Sequence, residues 1–197
     1  CCYLRHGYWW YVTGRIPRRK DPATVDEKLI AKYGINISES SRARRKRAGF
    51  ANLAYIRHDR FFVILATKGR HAFYEQEGTN IRDIRRVPLK YAGYSISYRP
   101  GGRTHKGERD ARWHAHVRIE RRRFKELEAY LLELAAHRRA GHVAKRIYEI
   151  PYEPYAPIRR QMLLLLKRIN QVRKRAGFQP VPNDVLPLRR KVVRPFE

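Results

Sequence analysis

Cysteine is almost missing from this chain. There are two, adjacent, at Cys1 and Cys2. A neighbouring pair with no second pair makes neither a disulfide framework nor a zinc site within the chain. It points to a reducing cytoplasm. His6 would join the pair only with ligands from further upstream, and a chain that opens without Met is expected to be a fragment. Acidic residues are scarce as well: Asp and Glu number 18 against 45 Lys and Arg. Asp59, Asp83, Asp110 and Asp184 are scattered, which argues against a two-metal nuclease built on clustered carboxylates. No apolar run approaches the roughly 18 residues that span a bilayer; Leu163 to Leu166 is a short run inside a basic helix. No charged-then-apolar leader pattern opens the sequence. A P-loop and a dinucleotide fingerprint are both lacking, and a Cys–His nucleophile is excluded because both cysteines sit at the start of the chain.

What is there in excess is positive charge, a net +27 on 197 residues. So large a surplus repels itself unless a polyanion neutralises it. Hydrophobic residues make up 43% and aromatics 12%, enough for a folded core, so this is not a disordered basic tail. Nucleic acid, DNA or RNA, is the partner this combination implies. A ribosomal-type or merely basic surface is the plainer alternative. A membrane is not expected, since no basic amphipathic segment stands apart from the fold. The length suits one nucleic-acid-binding core over residues 1–156, with a C-terminal helix and a basic, proline-rich tail over 157–197 packed on it.

Along the chain, Tyr8–Ile16 is aromatic and β-branched and reads as a strand. Asp21-Pro22 opens a helix that Gly34 ends, with Val25, Leu29, Ile30 and Tyr33 as its buried stripe. Ser38 opens a second helix to Gly49. Leu53–His58 and Phe61–Thr67 are strands, the latter central and covered on both faces. His71–Gly78 is ambiguous, and Ile81–Val87 reads as a short helix before Pro88. Tyr91–Tyr98 is a strand that forms a hairpin with Asp110–Glu120 across a polar loop through 104–108. Phe124, Leu127, Leu131, Leu134 and Ala135 mark a helix. Val143–Ile150 reads as a strand, and Pro157–Ala176 as a last helix burying Met162, Leu163, Leu166 and Ile169. The class is α+β, a largely antiparallel sheet of four to six strands flanked by helices.

Two basic clusters stand out. Arg42, Arg44, Arg45, Lys46 and Arg47 crowd the end of the second helix, more cations than a helix dipole requires, as on a phosphate-gripping face. Arg45-Lys-Arg-Ala-Gly-Phe50 then recurs letter for letter as Arg173-Lys-Arg-Ala-Gly-Phe178. The repeat reads either as one capping solution used twice, with Gly49 and Gly177 as left-handed caps, or as two phosphate clamps that include Arg173, Lys174 and Arg175.

The stretch Asp110–Glu120 alternates with a period of two. Trp113, Ala115, Val117 and Ile119 share one face; Arg112, His114, His116 and Arg118 share the other. His114-Ala115-His116 resembles the His-hydrophobic-His motif of the HUH single-strand DNA endonucleases, the class of tyrosine transposases, rolling-circle replication initiators and relaxases. The resemblance covers these three residues and their strand context. It implies that the two imidazoles share a divalent ion, Mg²⁺ or Mn²⁺, and that a tyrosine attacks the scissile phosphate. Tyr130 is the first candidate, with Tyr155 second. Glu126 and Glu133, on one helical stripe with Tyr130, are candidates for the remaining metal ligand. The alternative is a polar strand face, with Tyr130 at the edge of a buried helix face.

Two functions therefore compete. One is a nuclease that nicks and rejoins single-stranded or hairpin DNA. The other is a non-catalytic DNA- or RNA-binding module without cofactor, with basic helices and stacking surfaces drawn from Tyr8, Trp9, Trp10, Tyr11, Tyr91, Tyr94 and Tyr98. A structural RNA-assembly role is a third reading, and a homodimer is compatible with each.

Overall fold

The computed structural model describes residues 2–102, 107–108 and 110–189. Cys1, residues 104–106 of the expected loop and the end of the tail from Arg190 lie outside the described residues. The fold is α+β, with a four-stranded and a three-stranded sheet in place of one sheet. The chain forms two compact units: Cys1–Leu89 with Ser97–Ala115, and Lys90–Ile96 with His116–Glu197. The sequence places a boundary at 156/157. Here the residues after 156 belong to the same unit as those from His116 onward.

The first unit is built on β1 (Tyr8–Arg15), β2 (Leu53–His58), β3 (Phe61–Thr67) and β4 (Arg82–Asp83), ordered β2-β3-β1-β4. The central position of β3 follows from its apolar run, and Val63 through Thr67 are all buried. In the β1–β3 ladder Tyr8 faces Thr67 and Trp10 faces Ala66. Trp9 is thus an extra residue, a bulge that re-aims its side chain. Short α1 (Cys2–Arg5) precedes this strand, and the Trp9 indole donates to the Leu4 carbonyl at 3.0 Å.

Helix α2 (Pro22–Lys32) starts where its local chemistry dictates. The Asp21 carboxylate accepts from the Thr24 amide at 2.8 Å, and Gly34 follows the helix end with φ 55°. Its apolar stripe is only half-buried, with Leu29 and Ile30 packed beside the fully buried Tyr33. Helix α3 (Glu39–Arg47) is capped by Ser38, and α4 (Ala72–Glu77) buries Phe73 completely. The helix expected over Ile81–Val87 does not form. Arg82 and Asp83 pair with Tyr11 and Trp10 as β4, the Ile84 amide donates to the Trp9 carbonyl, and Ile84 is buried. Edge pairing satisfies backbone groups that so short a helix would leave open.

The three-stranded sheet runs β5 (Leu89–Tyr91), β6 (Tyr94–Pro100) and β7 (Trp113–Ile119). The single strand expected over Tyr91–Tyr98 is broken by a tight turn at Ala92-Gly93, with φ 46° and 80°, as a two-residue hairpin loop requires. In the second unit Val117 and Ile119 join a core made by α5 (Arg121–His137), α6 (Ala140–Tyr148) and α7 (Ala156–Arg175). Gln161 serves as a strand edge: its amide oxygen accepts from the Ile119 N–H at 2.8 Å and its nitrogen donates to the Ile119 carbonyl at 3.2 Å. Val143–Ile150 is mostly helix, not strand, because Val143 and Ile147, four residues apart, both enter this core. On α7 Met162, Leu165, Leu166 and Ile169 are buried, whereas Leu163 is 41% exposed, contrary to the expected stripe.

Candidate nucleic-acid interface

The basic end of α3 divides into inward and outward cations. Arg42 donates to the carbonyls of Leu53 and Ile35, each at 2.7 Å, and to the Tyr8 hydroxyl at 3.2 Å. Arg45 donates to the Ala51 carbonyl at 3.1 Å. These two tie α3 to the sheet and are corrections to the set of phosphate-gripping candidates. Arg44, Lys46 and Arg47 are exposed.

The repeated hexapeptide resolves in the same way at both sites. The Phe50 amide donates to the Arg45 carbonyl at 2.9 Å, and the Phe178 amide to the Arg173 carbonyl at 2.8 Å. Gly49 and Gly177 hold φ of 77° and 74° between them. Each is a Schellman closure, the left-handed residue that glycine adopts without a Cβ penalty. Each arginine lies over the phenylalanine five residues on, at 5.7 Å for Arg45–Phe50 and 5.3 Å for Arg173–Phe178. Arg173 is only 1% exposed, and it donates to the carbonyls of Gln179, Arg138 and Ala135. Burial lowers its pKa. It is a structural residue and leaves the interface; Lys174 and Arg175 remain exposed.

On β7 the expected alternation holds at one end. Val117 and Ile119 are buried while Arg118 is exposed, and His116 is half-buried. At the other end Trp113 is 44% exposed, not buried with its face-mates. His114 is exposed, and its Nε2 lies 2.8 Å from Oδ2 of Asp110. The Asp110 carboxylate also accepts from the Arg112 backbone and side chain, at 3.0 and 3.2 Å. The backbone N–H of Arg112, then His114 and the Arg112 guanidinium, hold its pKa down to about 2. This cluster depends on Gly101, where a Cβ would come within 2.7 Å of the Asp110 side chain.

Trp113 belongs to a ladder of rings in the first unit. Arg85, paired with Asp83 at 2.7 Å, lies 4.2 Å over Trp9. Trp9 stacks on Tyr98 at 6.2 Å and 26°, and Tyr98 meets Trp113 at 5.6 Å and 32°. These groups line an open groove of about 660 Å³ together with Arg5, Arg112 and His114. Sequence reasoning named Trp9 and Tyr98 as stacking residues but missed Arg5, Arg85 and Trp113. The available signal was a tryptophan beside an arginine at a strand end next to a polar loop. Of the other proposed stacking residues, Tyr8 and Tyr11 are buried, Tyr11 donating to the Val87 carbonyl, and Trp10, Tyr91 and Tyr94 are half-buried.

The nuclease residues are divided between the units. His114 lies in the first, and His116, Glu126, Tyr130, Glu133 and Tyr155 in the second. Tyr130, 46% exposed, and Glu126 line a second cavity of about 590 Å³ with Arg123, Arg146 and Tyr152. Glu133 is exposed on α5, and Tyr155 precedes α7 and packs partly against its core. Among the described residues no group of three or more His, Cys, Asp or Glu is placed to hold a metal ion. Asp110 and His114 supply two donors, which does not complete the site the resemblance implies.

No protein-family model matches the chain, and neither does any curated protein or solved structure. No helix among the described residues is long and apolar enough to cross a membrane.

Proposed function

We propose that this protein binds nucleic acid through outward-facing cations on both units. The observation that carries the reading is that Arg44, Lys46 and Arg47 on α3, and Lys174 and Arg175 on α7, are exposed, on a chain of net charge +27. Their partner sites are phosphates, which fix a nucleic acid on a protein without reading its sequence. The test is anisotropy of labelled oligonucleotides as salt is raised from about 50 to 200 mM. Affinity should fall steeply as counterions compete for the phosphates. Affinity unchanged over that range would reject the reading.

One observation favours a second reading, a nuclease of the HUH type. A carboxylate, Asp110, stands 2.8 Å from His114 within the first unit, which gives two donors of the set that the resemblance implies. A carboxylate and an imidazole are two of the donor types that such a set combines. Incubation of labelled hairpin DNA with Mg²⁺ or Mn²⁺ tests this. A covalent protein–DNA adduct lost in Tyr130→Phe or Tyr155→Phe supports it, and the absence of nick and adduct across diverse hairpins counts against it.

A further inference from the structure

We infer that the groove between Trp9, Tyr98 and Trp113 takes an unpaired base of a single-stranded nucleic acid, with Trp113 as the rung on which the base stacks. The inference rests on the nucleic-acid reading and deepens it, since it names the form of the ligand.

The ladder is built from one end. Asp83 fixes the Arg85 guanidinium through Nε and Nη, and that guanidinium covers Trp9. The bulge in β1 turns Trp9 out of the regular ladder of the strand, and its indole N–H is held by the Leu4 carbonyl. Tyr98, only 7% exposed, is the middle rung. Trp113 ends the ladder with 44% of its surface open. Aromatic area left in water beside an organised stack is a surface on which another flat ring can stack.

Charge selects which ring. Arg5, Arg112 and His114 line the groove with Arg85. Asp83 engages Arg85 and Asp110 engages Arg112, whereas Arg5 has no ion-pair partner among the described residues. The Arg112 side chain is 82% exposed even with its Nε on Asp110. A flat ring flanked by anions matches this lining, and a nucleotide in a strand is that object. A proline-rich peptide could also lie on aromatic rungs, but it carries no anion for the arginines. The groove, at about 660 Å³, lies within the range of roughly 300–1,000 Å³ typical of sites for small ligands.

The ligand must be single-stranded because the flat faces of bases in a duplex are already stacked on their neighbours. Only a splayed base offers its face to a side chain. Exposed cations elsewhere on the protein hold duplex and single strand alike, so the groove adds a preference to a binding that exists without it.

The experiment uses the full chain and its three tryptophans, two of which, Trp9 and Trp113, line the groove. Tryptophan emission and anisotropy are followed with a twenty-mer of dT, a twenty-mer of rU and a hairpin duplex of equal phosphate count. The first two arms distinguish DNA from RNA as the source of the base. Single strands should quench the emission and bind more tightly than the duplex. Trp113→Leu should remove most of the quench and lower single-strand affinity by roughly 5- to 150-fold, the usual worth of one stacked base. Duplex affinity should stay within about twofold, and Trp113→Phe should recover part of the loss. Trp113 is 44% exposed, and circular dichroism checks that the variant keeps the fold. Trp113→Leu lowering single-strand and duplex affinity equally, or changing neither, would overturn the groove assignment while leaving nucleic-acid binding in place. If the wild type binds no oligonucleotide even at low salt, the underlying reading falls as well.

Discussion

Asp110 stands 2.8 Å from the His114 imidazole and at the same time faces the Arg112 guanidinium at 3.2 Å. Asp110 therefore places a negative charge against the cations of the aromatic groove. Its low pKa, about 2, keeps that charge in place through the whole working pH range. Asp110→Asn should strengthen binding of a single-stranded oligonucleotide at low salt, by about fivefold or less, the worth of one charge at close range in water. Anisotropy titrations at two salt concentrations check this, and the gain should shrink at the higher one.

Removal of outward cations should act on affinity alone. The triple substitution Arg44→Ala, Lys46→Ala, Arg47→Ala should reduce the slope of log affinity against log salt by about two to three, near one for each phosphate no longer neutralised. Thermal stability should stay nearly unchanged, since such exposed positions each contribute within about 0.5 kcal/mol.

Removal of inward cations should do the reverse. Arg173→Ala deletes the buried donor to three carbonyls and opens a gap under Phe178. A loss of about 3 kcal/mol is expected, as for hydrogen bonds to a buried charged group. Arg173→Lys should recover little, because an ammonium cannot reproduce the planar fork. Lys174→Ala, next to it and exposed, is the matched control. Chemical denaturation of the three variants measures the contrast.

Alkaline pH should destabilise the first unit. Burial raises the phenol pKa of Tyr11, Tyr33, Tyr55 and Tyr74, with Tyr74 pushed up to about 12. The unfolded chain loses these protons near pH 10 while the folded chain keeps them. The stabilisation is therefore whole below pH 10 and disappears as pH rises through the folded values. Absorbance at 295 nm should show a late-titrating class of tyrosines released together with loss of circular dichroism. Tyr74→Phe removes one of these protons and should flatten the decline, although it also loses the 2.7 Å bond to the Thr67 carbonyl.

Local chemistry is what the sequence displays best. The Asp21-Pro22 start of α2, the Gly49 and Gly177 closures and the apolar run of β3 can all be read because the deciding atoms lie within a few residues of each other. The α6 segment misleads because Val143 and Ile147 have β-branched side chains. Their spacing of four, not their shape, decides the outcome. β4 is hidden because its reason to exist is a partner, Trp10 and Tyr11, some seventy residues away in the chain. Charge counting finds the basic clusters but cannot tell Arg42 and Arg173 from Lys46 and Lys174. Only the position of the nearby carbonyls separates a structural guanidinium from one open to a ligand. The groove is legible in pieces, as Trp9 and Tyr98, but its open rung depends on where β7 leaves its core.

The path of the backbone has a practical result. It leaves the first unit at Leu89, supplies seven residues to the second, comes back for Ser97–Ala115, and departs again at His116. No single cut can release either half intact. Trimming at Leu89 would leave the amino-terminal piece without Tyr98 and Trp113, and so without two of the three groove rings, whatever else it retained. Cofolding of two separately expressed fragments, not excision of one, is the route by which the halves could be handled apart.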